Sequence, residues 1–295
     1  MTELNKIFGQ FDSPGSPSSS EHIYCATDDP RFWLNHVLKD HPKLALERSK
    51  TYSYKYNKHG FRCDEFTTKS ELPIVFLGCS HTSGVGLEIQ DVWSSVLLEK
   101  IKSYTGKTIP FWNLAIPGSS IDRQATVLEK YIHKLNPKLI FFSIPSMFRR
   151  HIVLEDHVID YRPTRMDLHT DEYGDRIIRN LSKAEYVLLD EKYASFESYK
   201  NLRLINTLAT LKNSKIYYHV GIENQADNWY ERPHNDSSQT PNWNIIQTMC
   251  DKLSNFNNLD LPFVLRDLAR DGSHFGKISH REFAENVFEQ IKDRL

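Results

Sequence analysis

The chain has 295 residues and a formal net charge of -1 at pH 7, with 37 Lys+Arg against 38 Asp+Glu. This balance argues against a general nucleic-acid-binding protein, which usually carries a strong basic excess. Its 39% hydrophobic and 25% charged residues are typical of a globular protein and exclude collagen-like, fully disordered and coiled-coil chains.

The first residues, 1–22, contain the run DSPGSPSSSE, which cannot bury apolar surface, so we expect a flexible tail there. They hold no continuous apolar segment typical of a secretory signal, and no stretch of the chain approaches the roughly 20 apolar residues of a membrane span. The four cysteines are scattered, with no C-x-x-C pair, which indicates reduced thiols. We therefore expect a cytoplasmic protein with no membrane span and no metal site.

Residues 23–72 form an N-terminal extension that we expect to pack on the main domain. A short helix closed by Pro42 comes first. The stretch TYSYKYNKHGFRCDEF, residues 51–66, then alternates aromatic and polar side chains. This alternation predicts strands joined by a turn at residues 57–60.

From residue 73 to 295 the pattern is that of a single α/β domain. Four short apolar runs are each typical of a buried strand: residues 73–78, 109–116, 138–144 and 215–221. The predicted helices between and after them are one capped by Asp91, one opened by Ser119 or Ser120, one through Leu202 to Leu211, and a last one opened by a capping box of Ser279 and Glu282. Strands that alternate with helices predict a parallel sheet covered on both faces.

Two long segments, residues 145–192 and 224–243, interrupt this alternation. Such insertions either build a binding site or decorate the surface, and both interpretations stay open here. The first is rich in arginine, which could bind an acidic substrate, but its interspersed aspartates favour a salt-bridged surface. The second carries Trp229 and Trp243, which either stack on a sugar ring or pack within an ordinary loop.

The stretch GCSHTSGVG, residues 78–86, directly follows the first predicted strand. It therefore lies at the carboxyl edge of the sheet, where open α/β sheets bind ligands. A phosphate-binding loop would need Lys-Ser/Thr after Gly84, and a dinucleotide fingerprint would need a third glycine after Gly86; neither is present. The remaining interpretation is a nucleophile, Ser80, on a tight turn with backbone N–H groups beside it to hold an oxyanion.

A nucleophilic serine needs a base, and the base needs an orienting acid. Asp271 and His274 stand three residues apart in a predicted loop, after the last sheet-forming segment and before the last helix. His157 and Asp160 have the same spacing in reverse order, so position in the fold selects the first pair. His81, beside the nucleophile, either shapes the substrate entrance or is a solvated loop residue.

These motifs resemble the sequence blocks of the SGNH/GDSL-family hydrolases. FLGCSHTSGVG resembles the family's first block, G-D-S-x-T-x-G, and NLAIPG, which ends at Gly118, resembles the second. DGSHF resembles the last block, and YNKHGFR resembles an N-G-F-R turn found before the first block in bacterial and viral members. The resemblance runs from about residue 54 to the end of the chain.

The resemblance implies a three-layer α/β/α fold with a flavodoxin-like parallel sheet and a serine esterase that uses no metal or organic cofactor. It implies that Ser80 attacks the acyl carbon, that His274 acts as general base and then acid, and that Asp271 orients His274. The backbone N–H groups of Ser80 and Gly118 would hold the oxyanion. The expected partner is a small or carbohydrate O-acyl ester, not a nucleic acid.

Two positions depart from the family pattern. Cys79 replaces the aspartate before the serine, at a position that mainly shapes the turn. The third block, G-x-N-D, is missing: Met147 falls near the place of its asparagine, and methionine cannot donate a hydrogen bond. Arg149 is the candidate substitute donor. Two other functions therefore stay open, a weakly active or inactive binding or structural module, for example in a virion or at a surface, and an acyltransferase with the same triad.

Overall fold

The computed structural model describes residues 20–30, 46–153, 158–161, 191–220, 222–223 and 243–295. Most of the N-terminal tail, the helix expected before Pro42 and most of both insertions lie outside these residues. His157 and Trp229 lie outside them as well. The expectations about these parts of the chain remain predictions.

Within the described residues the strands in chain order are β1 (Glu21–His22), β2 (Tyr54–Lys55), β3 (Ile74–Leu77), β4 (Leu139–Ser143), β5 (Arg150–Val153), β6 (Val158–Tyr161), β7 (Lys215–His219), β8 (Ile222–Glu223), β9 (Phe256–Asn258) and β10 (Phe263–Val264). The α-helices are α1 (Ser80–Ser83), α2 (Trp93–Thr105), α3 (Ile121–Leu135), α4 (Glu191–Leu211), α5 (Trp243–Cys250) and α6 (Lys277–Ile291).

The central sheet is parallel, with the order β3-β4-β7-β9. Residues 112–116 run parallel to β3 on its other side, where the Phe76 N–H donates to the Trp112 carbonyl at 3.0 Å and the Leu114 N–H donates to the Phe76 carbonyl at 2.9 Å. Numbered along the chain, the order is therefore 2-1-3-4-5, the flavodoxin-like arrangement. The predicted fold class is confirmed, although the second predicted strand is reduced to a bridge at Asn113.

Alternate side chains of each strand enter two separate cores. Val75 and Leu77 of β3 pack in a cluster with α3, α4 and α5, whereas Ile74 and Phe76 pack in a second cluster with α2 and α6. Helices α3 and α4 contact each other on one face of the sheet, and α2 and α6 contact each other on the opposite face. Because successive strand residues point to opposite faces, fully apolar strands such as IVFL require a helical layer on both sides.

Two predicted helix starts are wrong. Asp91 lies in a short 3-10 turn, and α2 begins at Trp93 without a side-chain cap. The last helix begins two residues before Ser279, so Ser279 is not its N-cap and no capping box forms with Glu282, which pairs with Arg266 outside the helix. Instead, the carboxylate of Asp267 accepts the Ser279 N–H at 3.0 Å from a preceding loop. By contrast Ser120 caps α3 as predicted, accepting a backbone N–H from the first turn.

The extension contributes a short antiparallel pair, β1 with β2. The predicted turn at residues 57–60 forms, because the Asn57 side chain accepts the N–H groups of His59 and Phe61 at 2.9 and 3.1 Å and Gly60 adopts a left-handed φ of 75°. The strand expected after this turn does not form, since β2 pairs with β1 instead.

All four cysteines are free thiols. Across the described ranges, no helix is long and apolar enough to cross a membrane.

His280 is buried where α6 meets the start of α2. Its Nδ1 accepts the Trp93 N–H at 3.0 Å, and its ring packs against Phe263 with 4.8 Å between ring centroids. Burial, together with the nearby His274, lowers the pKa of His280 to about 3 from an ordinary value of 6.5. The folded protein therefore holds this ring neutral, whereas the unfolded chain protonates it below pH 6.5.

We predict that His280 makes stability depend on pH. Between pH 6.5 and 3 the unfolded state binds more protons at this site, so the free energy of unfolding falls as the pH falls, by about 2 kcal/mol between pH 7 and 5 from this residue. In His280→Asn, whose side-chain oxygen can still accept the Trp93 N–H, that loss should shrink by about this amount. Urea unfolding at pH 5, 6 and 7 measures it. His133→Asn, at an exposed position of α3, is the control, and equal slopes in both variants and the wild type would contradict the prediction.

Candidate active site

Ser80 lies directly after β3, at the carboxyl edge of the sheet. Gly78 turns the chain with a φ of +155°, and a Cβ there would lie 2.4 Å from Thr82 Oγ1, so only glycine fits. Ser80 then opens the one-turn helix α1, which Gly84 ends with a left-handed φ of +79°. The turn leaves Ser80 in a fixed place beside the loop that precedes α6.

Ser80, His274 and Asp271 form a continuous hydrogen-bonded chain. Ser80 Oγ lies 2.7 Å from His274 Nε2, across 194 residues of sequence, and His274 Nδ1 lies 2.5 Å from Asp271 Oδ2. Because a carboxylate can only accept, Nδ1 carries the proton, and Nε2 of the neutral ring is left to accept the Ser80 hydroxyl. In this arrangement a histidine can take a proton from serine while a carboxylate stabilises the resulting imidazolium.

The Asp271 side chain is 0% exposed, and its carboxylate is hydrogen-bonded by its own loop. Oδ1 accepts the N–H groups of Ser273 and His274 at 3.0 and 2.9 Å, and Oδ2 accepts the Ser273 hydroxyl at 2.9 Å as well as the His274 ring. Burial acts to raise the pKa of Asp271, but the His274 ring and these N–H groups hold it well below its usual range. The acid of the chain is therefore ionised at neutral pH.

The loop that carries Ser80 contacts the loop that carries Asp271 through the backbone. The Arg270 N–H donates to the Gly86 carbonyl at 3.0 Å. Gly86 has a left-handed φ of +78°, and a Cβ there would lie 2.7 Å from the Cβ of Ala269. The glycine thus allows an approach that a side chain would prevent.

Arg62, the last residue of the YNKHGFR motif, holds the Ser80 loop from behind. Its guanidinium is buried and donates to the carbonyls of Gly84 at 2.7 Å and Leu87 at 2.8 Å. It also lies over the Tyr54 ring, 4.1 Å from the centroid. The YNKHGFR motif therefore contributes a buried arginine that supports the loop carrying Ser80.

His81 is half-buried against the candidate base. Its ring centroid lies 4.8 Å from that of His274 and 5.0 Å from that of Phe275, and its Nδ1 has no hydrogen-bond partner among the described residues. Burial, together with neighbouring His274, lowers the pKa of His81 well below its usual value. The ring contacts of His81 with His274 and Phe275 favour the interpretation that it shapes the substrate entrance, which stays a prediction.

Gly118 follows the segment beside β3, and the Ile116 N–H of that segment donates to the Gly78 carbonyl at 3.3 Å. Gly118 has a left-handed φ of 79°. It therefore lies at the same carboxyl edge of the sheet as Ser80, after the neighbouring segment. In the part of the chain that the structure covers, the backbone N–H groups of Ser80 and Gly118 make no hydrogen bond.

Met147 and Arg149 occupy different environments. Met147 is fully buried in the apolar cluster that also contains residues of α3 and α4. Arg149 Nη1 donates to the Ser119 carbonyl at 3.2 Å, and its guanidinium lies near the Cys79 thiol. Burial acts to raise the pKa of Cys79, but the nearby charge of Arg149 leaves it below its ordinary value. Arg149 thus hydrogen-bonds the residue after Gly118 and lies near the residue before Ser80.

A buried ion pair behind the site, between Asp28 of the extension and Arg270, is not predicted from the sequence. These residues are 242 positions apart, and no local spacing or composition signal links them.

No protein-family model matches the chain, and no curated protein matches it. Solved structures similar to the chain include TesA, with 13% identity over 75% of this chain and 99% of that one and a TM-score of 0.44. A GDSL-like lipase from Parabacteroides merdae ATCC 43184 has 12% identity, covers 77% of this chain and 98% of its own, and has a TM-score of 0.42. A Clostridium thermocellum family 3 carbohydrate esterase has 14% identity, with 75% and 95% covered and a TM-score of 0.43. At these TM-scores the similarity does not decide what this chain does, and its function has to be inferred from its own side chains.

Proposed function

We propose that this protein is a serine-dependent ester hydrolase of the SGNH/GDSL type. The observation that carries the proposal is the hydrogen-bonded chain from Ser80 through His274 to the ionised Asp271, with distances of 2.7 and 2.5 Å. It lies at the carboxyl edge of a parallel sheet, the usual place for ligands in this class of fold. A serine that merely closes a turn would not need a histidine and a buried carboxylate aligned behind it.

The reaction follows from the proton positions. Ser80 Oγ attacks the acyl carbon while its proton passes to His274 Nε2, and the ionised Asp271 stabilises the imidazolium that forms. Collapse of the tetrahedral intermediate transfers this proton to the departing alcohol and leaves the acyl group on Ser80. Water then attacks the acyl carbon while His274 accepts a proton from it. The carboxylic acid leaves, and His274 returns the proton to Ser80 Oγ.

The oxyanion is held by the backbone N–H groups of Ser80 and Gly118, with Arg149 as the third donor. In support of this role, the guanidinium donates to the residue after Gly118, and its charge lowers the pKa of Cys79, the residue before Ser80, so it lies near both loops that carry these N–H groups. A charged donor stabilises developing negative charge at least as well as the missing amide would. Met147, buried in the core, takes no part.

The substrate we propose is an ester of a small acyl group, with a small alcohol or a sugar hydroxyl as the leaving group. Ser80 is 7% exposed and the His274 side chain 14%, so access to the reacting atoms is narrow and a compact acyl group fits best. Trp243 packs against the core at the start of α5. We therefore do not propose that it stacks on a sugar ring. The four free thiols support a reducing, cytoplasmic location.

We predict that a fluorophosphonate labels Ser80 and no other serine. Peptide mapping by mass spectrometry identifies the labelled residue. Ser80→Ala should abolish labelling with unchanged folding, and Asp271→Asn should slow it by roughly 10⁴, because the amide cannot hold His274 in the required tautomer. Ser103→Ala, at an exposed position of α2, is the matched control and should still be labelled at Ser80. Labelling of a different serine, or none at high probe concentration, would contradict the proposed function.

Arg149→Ala should lower kcat on an activated aryl acetate by about 10²–10³ with little change in KM. A donor directed at the developing oxyanion acts on the transition state and not on the bound ester. Arg149→Lys keeps the charge but not the fork of donors, and should recover part of the lost rate. Steady-state kinetics at matched pH measure all three enzymes. A wild-type kcat in Arg149→Ala would show that the third donor lies elsewhere.

A further inference from the structure

The N-terminal extension reaches the Asp271 loop through a buried ion pair. Asp28 is 0% exposed and Arg270 1%, and Arg270 Nε lies 2.9 and 3.1 Å from the two carboxylate oxygens of Asp28. Nη2 binds the same carboxylate, so the contact is bidentate. Bidentate pairs fix the orientation of the guanidinium as well as its position.

The Arg270 guanidinium also donates hydrogen bonds to backbone carbonyls of the extension. Nη1 donates to the Lys50 carbonyl at 2.9 Å, and Nη2 donates to the Ile23 carbonyl at 2.6 Å. The ring of Tyr52 lies 4.4 Å below the guanidinium carbon. A side chain with this many fixed contacts cannot change rotamer without breaking several of them, so the backbone at position 270 is held in place.

A second contact ties the ion pair to the loop that carries Ser80. The Tyr54 hydroxyl donates to Asp28 Oδ2 at 2.5 Å and accepts the Gly86 N–H at 2.8 Å, and the Gly86 carbonyl accepts the Arg270 N–H at 3.0 Å. Asp28, Tyr54, Gly86 and Arg270 therefore form a closed ring of hydrogen bonds. This ring joins the two loops that have to hold Ser80 and His274 at hydrogen-bond distance.

We propose that Asp28, Tyr54 and Arg270 are positioning residues for the hydrogen-bonded chain of Ser80, His274 and Asp271, here called the relay. They hold the loop of Asp271 and His274 against the loop of Ser80. The inference rests on the proposed function. Its physical basis is that the residue after Arg270 is the acid of the relay, so a shift of the ring moves Asp271 directly. A displacement of about 1 Å in such a site can cost roughly 10²-fold in rate. A buried ion pair is by itself weak evidence for stability, so a stabilising role alone does not account for this ring.

The test uses Asp28→Asn and the milder Tyr54→Phe in the full chain, with Glu282→Gln as control. Glu282 pairs with Arg266 at 2.8 Å on the exposed side of the segment that leads to the site. Two readouts are taken at a temperature where circular dichroism shows each protein folded. One is the rate of Ser80 labelling by a fluorophosphonate. The other is the deshielded proton NMR resonance of the His274 Nδ1–H, assigned by its absence in His274→Ala.

Positioning predicts that Asp28→Asn and Tyr54→Phe each slow labelling by roughly tenfold or more and shift or broaden the Nδ1–H resonance, while Glu282→Gln leaves both within twofold. If Asp28→Asn does not fold, Tyr54→Phe alone decides. Variants that melt at lower temperature but keep the wild-type labelling rate and resonance would overturn the inference. The ring would then only stabilise the fold. If the wild type is not labelled, the proposed function fails, and the resonance still shows whether the ring positions His274.

Discussion

The buried charge of Asp271 is the constraint on which the site depends. A carboxylate taken out of water has to be hydrogen-bonded by the protein, so the loop turns to bring the N–H groups of Ser273 and His274, a hydroxyl and an imidazole onto its two oxygens. The same contacts orient the imidazole, and the oriented ring reaches Ser80. Folding of this loop and assembly of the proposed relay are therefore one physical requirement.

A second buried carboxylate makes this requirement harder to meet. Burial raises the pKa of Asp28, Arg270 and Tyr54 hold part of that rise back, and the nearby charge of Asp271 adds to it. Arg270 precedes Asp271 in the chain and binds Asp28, so one guanidinium serves both the extension and the site. Asp28 and Tyr54, both from the predicted extension, thus take part in the hydrogen-bonded ring behind the proposed relay.

The sequence predicts the parts of this protein that depend on local patterns. Short apolar runs such as IVFL predict strands buried on both faces, and Ser120 caps its helix as its residue type suggests. The resemblance to the SGNH/GDSL sequence blocks also predicts that Ser80, Gly118, Asp271 and His274 belong to one site. Local patterns fail where a distant residue decides. Asp267, from a preceding loop, replaces the predicted cap of α6, and the pairing of Asp28 with Arg270 spans 242 residues that no periodicity connects.

The most direct test of the proposed serine relay is a crystal structure of the protein after reaction with a fluorophosphonate. We expect phosphorus bonded to Ser80 Oγ, with the phosphoryl oxygen within hydrogen-bond distance of the N–H groups of Ser80 and Gly118 and of the Arg149 guanidinium. His274 Nε2 should face the position from which the leaving group departed. A phosphoryl oxygen turned to solvent, or an adduct on any other side chain, would contradict the relay and its oxyanion site.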